Sequence, residues 1–268
     1  ALKAIQFARD RGATIVGVDE AEGYPMRDTR IEGAPCVYYP ALVNADGCDG
    51  FTISGEGVID GHGAGIWEEF WAKRAAARKA GREFRNKDLM RPRVLYVSNS
   101  KNVDVSGVTF KNSKFWTTHY YNCEDVCVHD CTIVAEILKD SQGKVLKGPS
   151  TDAVDIDKCR RFTVRNCTVD GIGNLLYLKM RTDTPQRYSN VLVEGVSGTC
   201  KAFLNVGAWG QYADFGGRTK SELKSYARGV TLRGNSVTCE AERIGKGEGE
   251  YFELTDLVLE NNVLKSAL

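Results

Sequence analysis

Seven nine-residue segments of this chain share one pattern of alternating apolar positions, with Gly, Asn or Cys at the sixth or seventh place. They are FTISGEGVI (51–59), NVDVSGVTF (102–110), DVCVHDCTI (125–133), RFTVRNCTV (161–169), NVLVEGVSG (190–198), GVTLRGNSV (229–237) and DLVLENNVL (256–264). Each reads as a short strand, a tight bend and a second short strand. From residue 102 the starts are 23, 36, 29, 39 and 27 residues apart, the period of a solenoid coil with loops of varying length inserted. A β-sandwich would join most of its strands through Asn-Gly or Asp-Gly hairpins, whereas Asp-Gly occurs here only at 46–47, 49–50, 60–61 and 170–171. The pattern predicts an all-β parallel β-helix, each coil burying its apolar side chains on those of its neighbours.

Composition fits that architecture and narrows the function. With 28 Gly and 6 Pro among 268 residues, glycine is above and proline well below ordinary usage, as a chain of strands and tight bends requires. Lys and Arg number 36 against 35 Asp and Glu, a net charge of +1, so a dominant nucleic-acid footprint is not expected. No apolar run approaches the roughly 18 residues of a membrane-spanning helix. The nine Cys are odd in number and match no paired zinc spacing, so they are read as buried free thiols, with no metal site and no cofactor expected. A site built on His129, Cys127 and Cys131 is the one metal reading the spacing offers, and a structural role is favoured over it.

Two stretches interrupt the repeat. Residues 1–10 have helical spacing and would cap an open solenoid end. Residues 66–85 read as a charged helical insertion with Trp67, Phe70 and Trp71 on one stripe. No linker divides the chain, so a single domain over 1–268 is expected. The chain starts Ala1-Leu2-Lys3, with no initiator methionine or signal pattern, and reads as trimmed.

Four motifs carry a resemblance. Gly55-Glu-Gly-Val-Ile-Asp-Gly-His-Gly63 with Trp67, Arg91-Pro-Arg93, and Gly107 through His119 resemble family 28 glycoside hydrolases, the polygalacturonase and rhamnogalacturonase group. Ser150-Thr-Asp-Ala-Val-Asp-Ile-Asp157, with Cys159 and Phe162–Cys167 after it, is similar to that family's Asn-Thr-Asp-Gly-x-Asp segment and its following coil. The resemblance implies a right-handed parallel β-helix, a pectin-lyase-like solenoid, that hydrolyses glycosidic bonds of pectin-type polysaccharides by inversion. It implies a polysaccharide or oligosaccharide partner, no nucleic-acid or membrane partner, a monomer, and a secreted or periplasmic location.

Inversion needs one carboxylic acid to protonate the leaving oxygen and one carboxylate to activate water, roughly 6.5–9.5 Å apart. The family's first acid maps to Asp152. Its second site, a Gly-Asp-Asp triplet before an apolar run ending in Lys, falls on Asp170-Gly-Ile-Gly-Asn-Leu-Leu-Tyr-Leu-Lys179. Aligning the Lys at Lys179 leaves Gly173 and Asn174 where the two Asp belong. The downstream Gly-His-Gly is absent from 195–210, and Arg243 and Lys246 form only a weak echo of the family's Arg-x-Lys clamp.

Strand parity supplies a different set. Val154 and Ile156 should face the core, leaving Asp155 and Asp157 outward; one coil on, Tyr177, Lys179 and Arg181 should be outward too. The 22-residue offset from Asp152 to Asn174 stacks Asp155 beside Tyr177 and Asp157 beside Lys179. Asp152 and Asp155 are then the candidate catalytic carboxylates. Asp157, Tyr177, Lys179, Arg181, His119, Trp209, Arg243 and Lys246 are the candidate substrate-binding residues. The competing account is a ladder of surface ion pairs, each worth roughly 0–1 kcal/mol. Tyr120, Tyr121 and Phe203 are further sugar-stacking candidates, and Asp170 and Glu136 are spare carboxylates. Three functions fit these residues: a hydrolase with a rearranged carboxylate pair, a lyase or epimerase using Lys179 or Arg181 as base, and a non-catalytic glycan binder.

Overall fold

The computed structural model describes residues 12–20, 23–209, 213–219, 221–241 and 251–266. The helix expected over 1–10 lies outside them.

All seven segments form the expected pair of strands. The pairs are Thr52–Ser54 with Val58–Asp60, Lys101–Ser106 with Thr109–Lys111, Glu124–His129 with Thr132–Val134, Arg160–Arg165 with Thr168–Arg181, Arg187–Glu194 with Ser197–Trp209, Ser225–Arg233 with Ser236–Ala241, and Phe252–Glu260 with Val263–Ser266. The first members hydrogen-bond side by side as one seven-stranded parallel sheet, the first face. The second members form a parallel second face, with Thr14–Val16 added beyond Val58–Asp60. Every bend between the two faces holds a residue of positive φ: Gly55, Gly107, Asp130, Asn166, Gly195, Gly234 and Asn261. Only Gly, Asn and Asp fill these places, because an ordinary side chain is strained there.

A third face closes the solenoid. Ala41–Asp46, Arg93–Ser98, Thr118–Tyr121 and Val154–Asp157 run parallel, and the row continues into the C-terminal halves of Thr168–Arg181 and Ser197–Trp209. Those two long strands turn the corner from the second face to the third. Alternate residues of the strands of all three faces, from Ala41–Asp46 onward, enter one continuous apolar cluster that includes Val105, Val128, Ile156, Phe162, Leu178 and Val193. Six of the nine thiols are buried, and all nine are free.

The helical insertion is shorter than expected, running Ala64–Lys79. Gly81, at φ 66°, stops it. The Arg82 N–H bonds the Ala77 carbonyl and the Gly81 N–H the Arg78 carbonyl, a Schellman ending that leaves 82–85 non-helical. The helix is pinned by Trp67, fully buried, whose Nε1–H donates to the Ser113 carbonyl at 2.8 Å. Gly63 makes that approach possible, since a Cβ there would meet the indole nitrogen at 2.6 Å.

One of the elements without a counterpart in the periodicity bears directly on the site. Arg27–Ile31 and Ala34–Tyr38 form an antiparallel hairpin, turning through Glu32 and Gly33 at φ 51° and 76°. This hairpin lies over the third face. Its Ile31 and Tyr38 pack with Phe115 and Trp116 in a second small core. The Gly33 backbone sits so close to Arg181 that a Cβ would be 2.5 Å from its Cδ.

Candidate active site

The register sets the candidate residues in rows across the third face. His119 pairs with Asp155, Asp155 with Tyr177 and Tyr177 with Asn205, while Tyr121 pairs with Asp157 and Lys179 with Gly207. The 22-residue offset between coils is therefore the one the protein uses.

The environment of these rows differs from the expectation. Asp155, Asp157, Lys179 and Arg181 do leave the solenoid on its outer side, yet they are 0%, 1%, 4% and 3% exposed. The hairpin covers them, and the surface ladder is a buried ionic layer. Asp157 does not pair with Lys179; the Arg30 Nε of the hairpin donates to its Oδ2 at 2.7 Å. Burial pushes the Asp157 carboxyl up, but Arg30 and His119 outweigh it and hold the group below the ordinary carboxylate range. The expectation that Arg181 grips a substrate carboxylate is also corrected. Its guanidinium is held in a two-pronged grip by Asp183, at 2.6 and 2.5 Å, and donates to the Glu32 carbonyl.

His119 is buried against Arg93, whose guanidinium lies 2.6 Å from Nδ1. A guanidinium always donates, so Nδ1 accepts and Nε2 carries the proton, 3.6 Å from Asp157 Oδ2. Burial, with Arg93 and Lys179 beside it, lowers the imidazole to about 3, so His119 is neutral. His119, Asp155, Asp157 and Arg181 make up the wall behind the cleft rather than its surface.

Lys179 occupies the centre. Its Nζ lies 4.0 Å from the Trp116 ring centroid and 3.8 Å from that of Tyr177, and 3.4 and 3.8 Å from Asp155 Oδ1 and Asp152 Oδ2. Burial opposes the charge, but Asp155, Tyr177, Asp152 and Glu32 outweigh it and hold the ammonium protonated. A lysine so held is a poor base, and Arg181 is engaged with Asp183, so neither cation named for a lyase or epimerase is placed to accept a proton. Asp155, with the same ammonium nearby, is lifted well above the ordinary carboxylate range by burial.

Asp152 faces outward into a cavity of about 730 Å³. Its Oδ1 accepts two hydrogen bonds from Asn174, from the backbone N–H at 2.8 Å and from Nδ2 at 2.6 Å. Gly173 leaves the room, since a Cβ there would sit 2.4 Å from that same oxygen. Asn205 Nδ2 in turn donates to Asn174 Oδ1 at 3.2 Å, so a chain of amides fixes the carboxylate. Trp116, Tyr177 and Lys179 share the wall with Phe70 and Trp71 of the helix.

The profile of glycosyl hydrolases family 28 matches residues 27–173, more than half of the chain. The chain belongs to family 28. Two exopolygalacturonases of Zea mays are 29% identical over 62% of the chain and 27% identical over 78% of it. The chain spans 34% and 46% of those relatives, so it covers under half of each. Among solved structures, a family 28 exopolygalacturonase of Yersinia enterocolitica superposes with a TM-score of 0.61 at 14% identity, over 95% of this chain and 55% of that one. An endo-xylogalacturonan hydrolase of Aspergillus tubingensis gives 0.60 at 16% identity, over 94% and 69%. These likenesses confirm the right-handed parallel β-helix.

Within that family 28 frame, some sequence candidates fall elsewhere. Tyr120 and Phe203 are fully buried core residues, so neither presents a face to a sugar. Glu136 accepts from Asn112 Nδ2 away from the cavity wall, whereas Asp170 lines it. Trp209 pairs with Arg181 through its backbone, and Arg243 and Lys246 lie outside the described residues. Sequence reasoning missed Glu32, which is 3% exposed, lines the cavity and accepts from Asn86 Nδ2 at 2.9 Å. An Ile-Glu-Gly-Ala turn between two alternating runs was the available signal. Trp116, within the Gly107–His119 motif, forms one side of the lysine cradle, a role the motif does not signal.

Proposed function

We propose that this chain carries the cleft of a family 28 hydrolase acting on a pectic or related acidic polysaccharide, with Asp152 and Glu32 as its carboxyl pair. The observation that carries the reading is the Asp152 carboxylate, aimed into the cavity by Asn174 at the family's acid position. Glu32 supports the second role because it lines the same cavity and acts on the same ammonium of Lys179 as Asp152 does. One of the two protonates the leaving oxygen while the other activates water on the opposite face of the sugar ring, giving an inverted product. Asp155, expected as a catalytic partner, becomes a positioning residue behind Lys179. Lys179, with the rim cations Arg74, Lys147 and Lys201, supplies positive charge for a uronate polymer, and Trp116 and Tyr177 supply apolar faces beside it.

Asp152→Asn and Glu32→Gln should each lower release of reducing ends from polygalacturonate by roughly 10²–10⁴-fold, with unchanged thermal midpoints. The variant lacking the acid recovers on substrates whose leaving group needs no proton; the variant lacking the base does not. Retained activity in Asp152→Asn overturns the assignment. A non-catalytic glycan binder is the second reading, favoured by Gly173 and Asn174 standing in the place of two aspartates. It predicts polymer binding by the wild type with no reducing ends released.

A further inference from the structure

We propose that Asp104, Cys127 and His129 form a zinc-type site on the outer side of the first face, clipping two consecutive coils together at a distance from the cleft. The sequence spacing predicts no metal, and the one candidate it offers includes Cys131. Cys131 points into the core, 1% exposed, with its Sγ directed to backbone carbonyls. Asp104 takes its place. It stands directly beside Cys127 in the register of Lys101–Ser106 with Glu124–His129, and His129 is two residues along the same strand, on the same side.

One ligand atom from each of the three residues lies within 4.8 Å of the other two, and His129 Nε2 is 3.1 Å from Asp104 Oδ1. Tetrahedral bonds of about 2.0–2.3 Å place neighbouring donors roughly 3.3–3.8 Å apart, so a small side-chain adjustment closes this set on one ion. An imidazole, a thiolate and a carboxylate together suit a borderline-soft cation and suit calcium or magnesium poorly.

The surroundings of the ligands point the same way. His129 Nδ1 lies 2.6 Å from Asp130 Oδ2, the carboxylate–histidine arrangement that leaves Nε2, turned toward Asp104 Oδ1, as the ligating nitrogen. Ser106 Oγ donates to the other oxygen of Asp104 at 3.2 Å, leaving Oδ1 turned toward His129. Asp104 and His129 side chains are 42% and 21% exposed, so solvent reaches the fourth position and water completes the sphere. Binding displaces two protons, that of the Cys127 S–H and that on His129 Nε2, and both are released to solvent. Without a metal the same residues would be an imidazolium between two carboxylates with a bystander thiol.

Cobalt titration of the reduced protein separates the two. One equivalent of Co²⁺ should give a thiolate-to-cobalt charge-transfer band that Zn²⁺ abolishes by displacement, and Zn²⁺ should raise the thermal midpoint. Cys127→Ser should remove the band, and His129→Gln should remove the midpoint shift. Asp130→Asn should keep the band and weaken binding roughly 10–100-fold. Cys48→Ser, a half-buried thiol elsewhere, should change nothing. A wild type with no band, or a band that survives Cys127→Ser, overturns the proposal.

Discussion

The first and third faces are built from the same coils, and both point ionic side chains away from the same core. On the first face these stay in water. Arg160 and Arg161 reach back one coil to Glu124, Arg161 also to Asp125, and Arg233 to Glu194, with the arginines about half exposed. On the third face the hairpin Arg27–Tyr38 covers them, and Arg30, Asp157, Lys179 and Asp155 are buried. The teaching lies in the cover. An open rung is interchangeable stitching, while a covered rung needs an opposite charge beside each of its ions, because a buried charge without its partner is costly.

The largest test removes one member of the covered layer. Asp157→Ala leaves Arg30 buried without its partner and should cost about 3–5 kcal/mol in denaturant unfolding. A cost near zero would show that the hairpin opens freely and would erase the distinction between the faces. Acid titration comes next. His119 is held at about 3 against an ordinary 6.5, so between those values the unfolded chain takes up a proton that the folded chain refuses. Stability should fall as pH falls through that window. His119→Gln should relieve that part of the loss, the gap between variant and wild type changing below about pH 6.5 and staying constant above it. A gap constant throughout would mean the imidazole is accessible.

Asp155→Asn sharpens the comparison within the covered layer. When Asp155 becomes an amide of the same shape, Lys179 keeps Asp152 and Glu32 as acidic neighbours, so the variant should lose no more than about 1 kcal/mol. A loss as large as that of Asp157→Ala would show that Asp155 alone holds the Lys179 charge. The smallest effect belongs to the open face: Arg161→Ala should leave the unfolding midpoint within experimental scatter at any salt concentration, and a clear drop would contradict the contrast.

The repeat made the coils legible because bend residues of positive φ and alternating apolar positions are local requirements. Parity and the 22-residue offset placed Asp155 beside Tyr177 correctly for the same reason. The cover was not legible. Nothing periodic links Arg30 to Asp157, so the outward strip was expected to be wet, and Arg181 to be open to substrate. The pairing of Asp104 with Cys127 lay within reach of the sequence, since the two are separated by the 23-residue spacing of their coils. Glu32 was hidden because its function depends on where a distant hairpin docks.

That docking also has a kinetic consequence. Neighbouring coils meet across short separations, as Asp155 meets Tyr177 after 22 residues. The hairpin closes across 127 residues from Arg30 to Asp157 and across 149 from Glu32 to Arg181. Loop-closure entropy therefore favours zipping the solenoid coil by coil before the hairpin settles. Strand formation and cleft maturation become two separable events, and a chain already rich in native β-structure still lacks its cleft wall until the last and longest loop has closed.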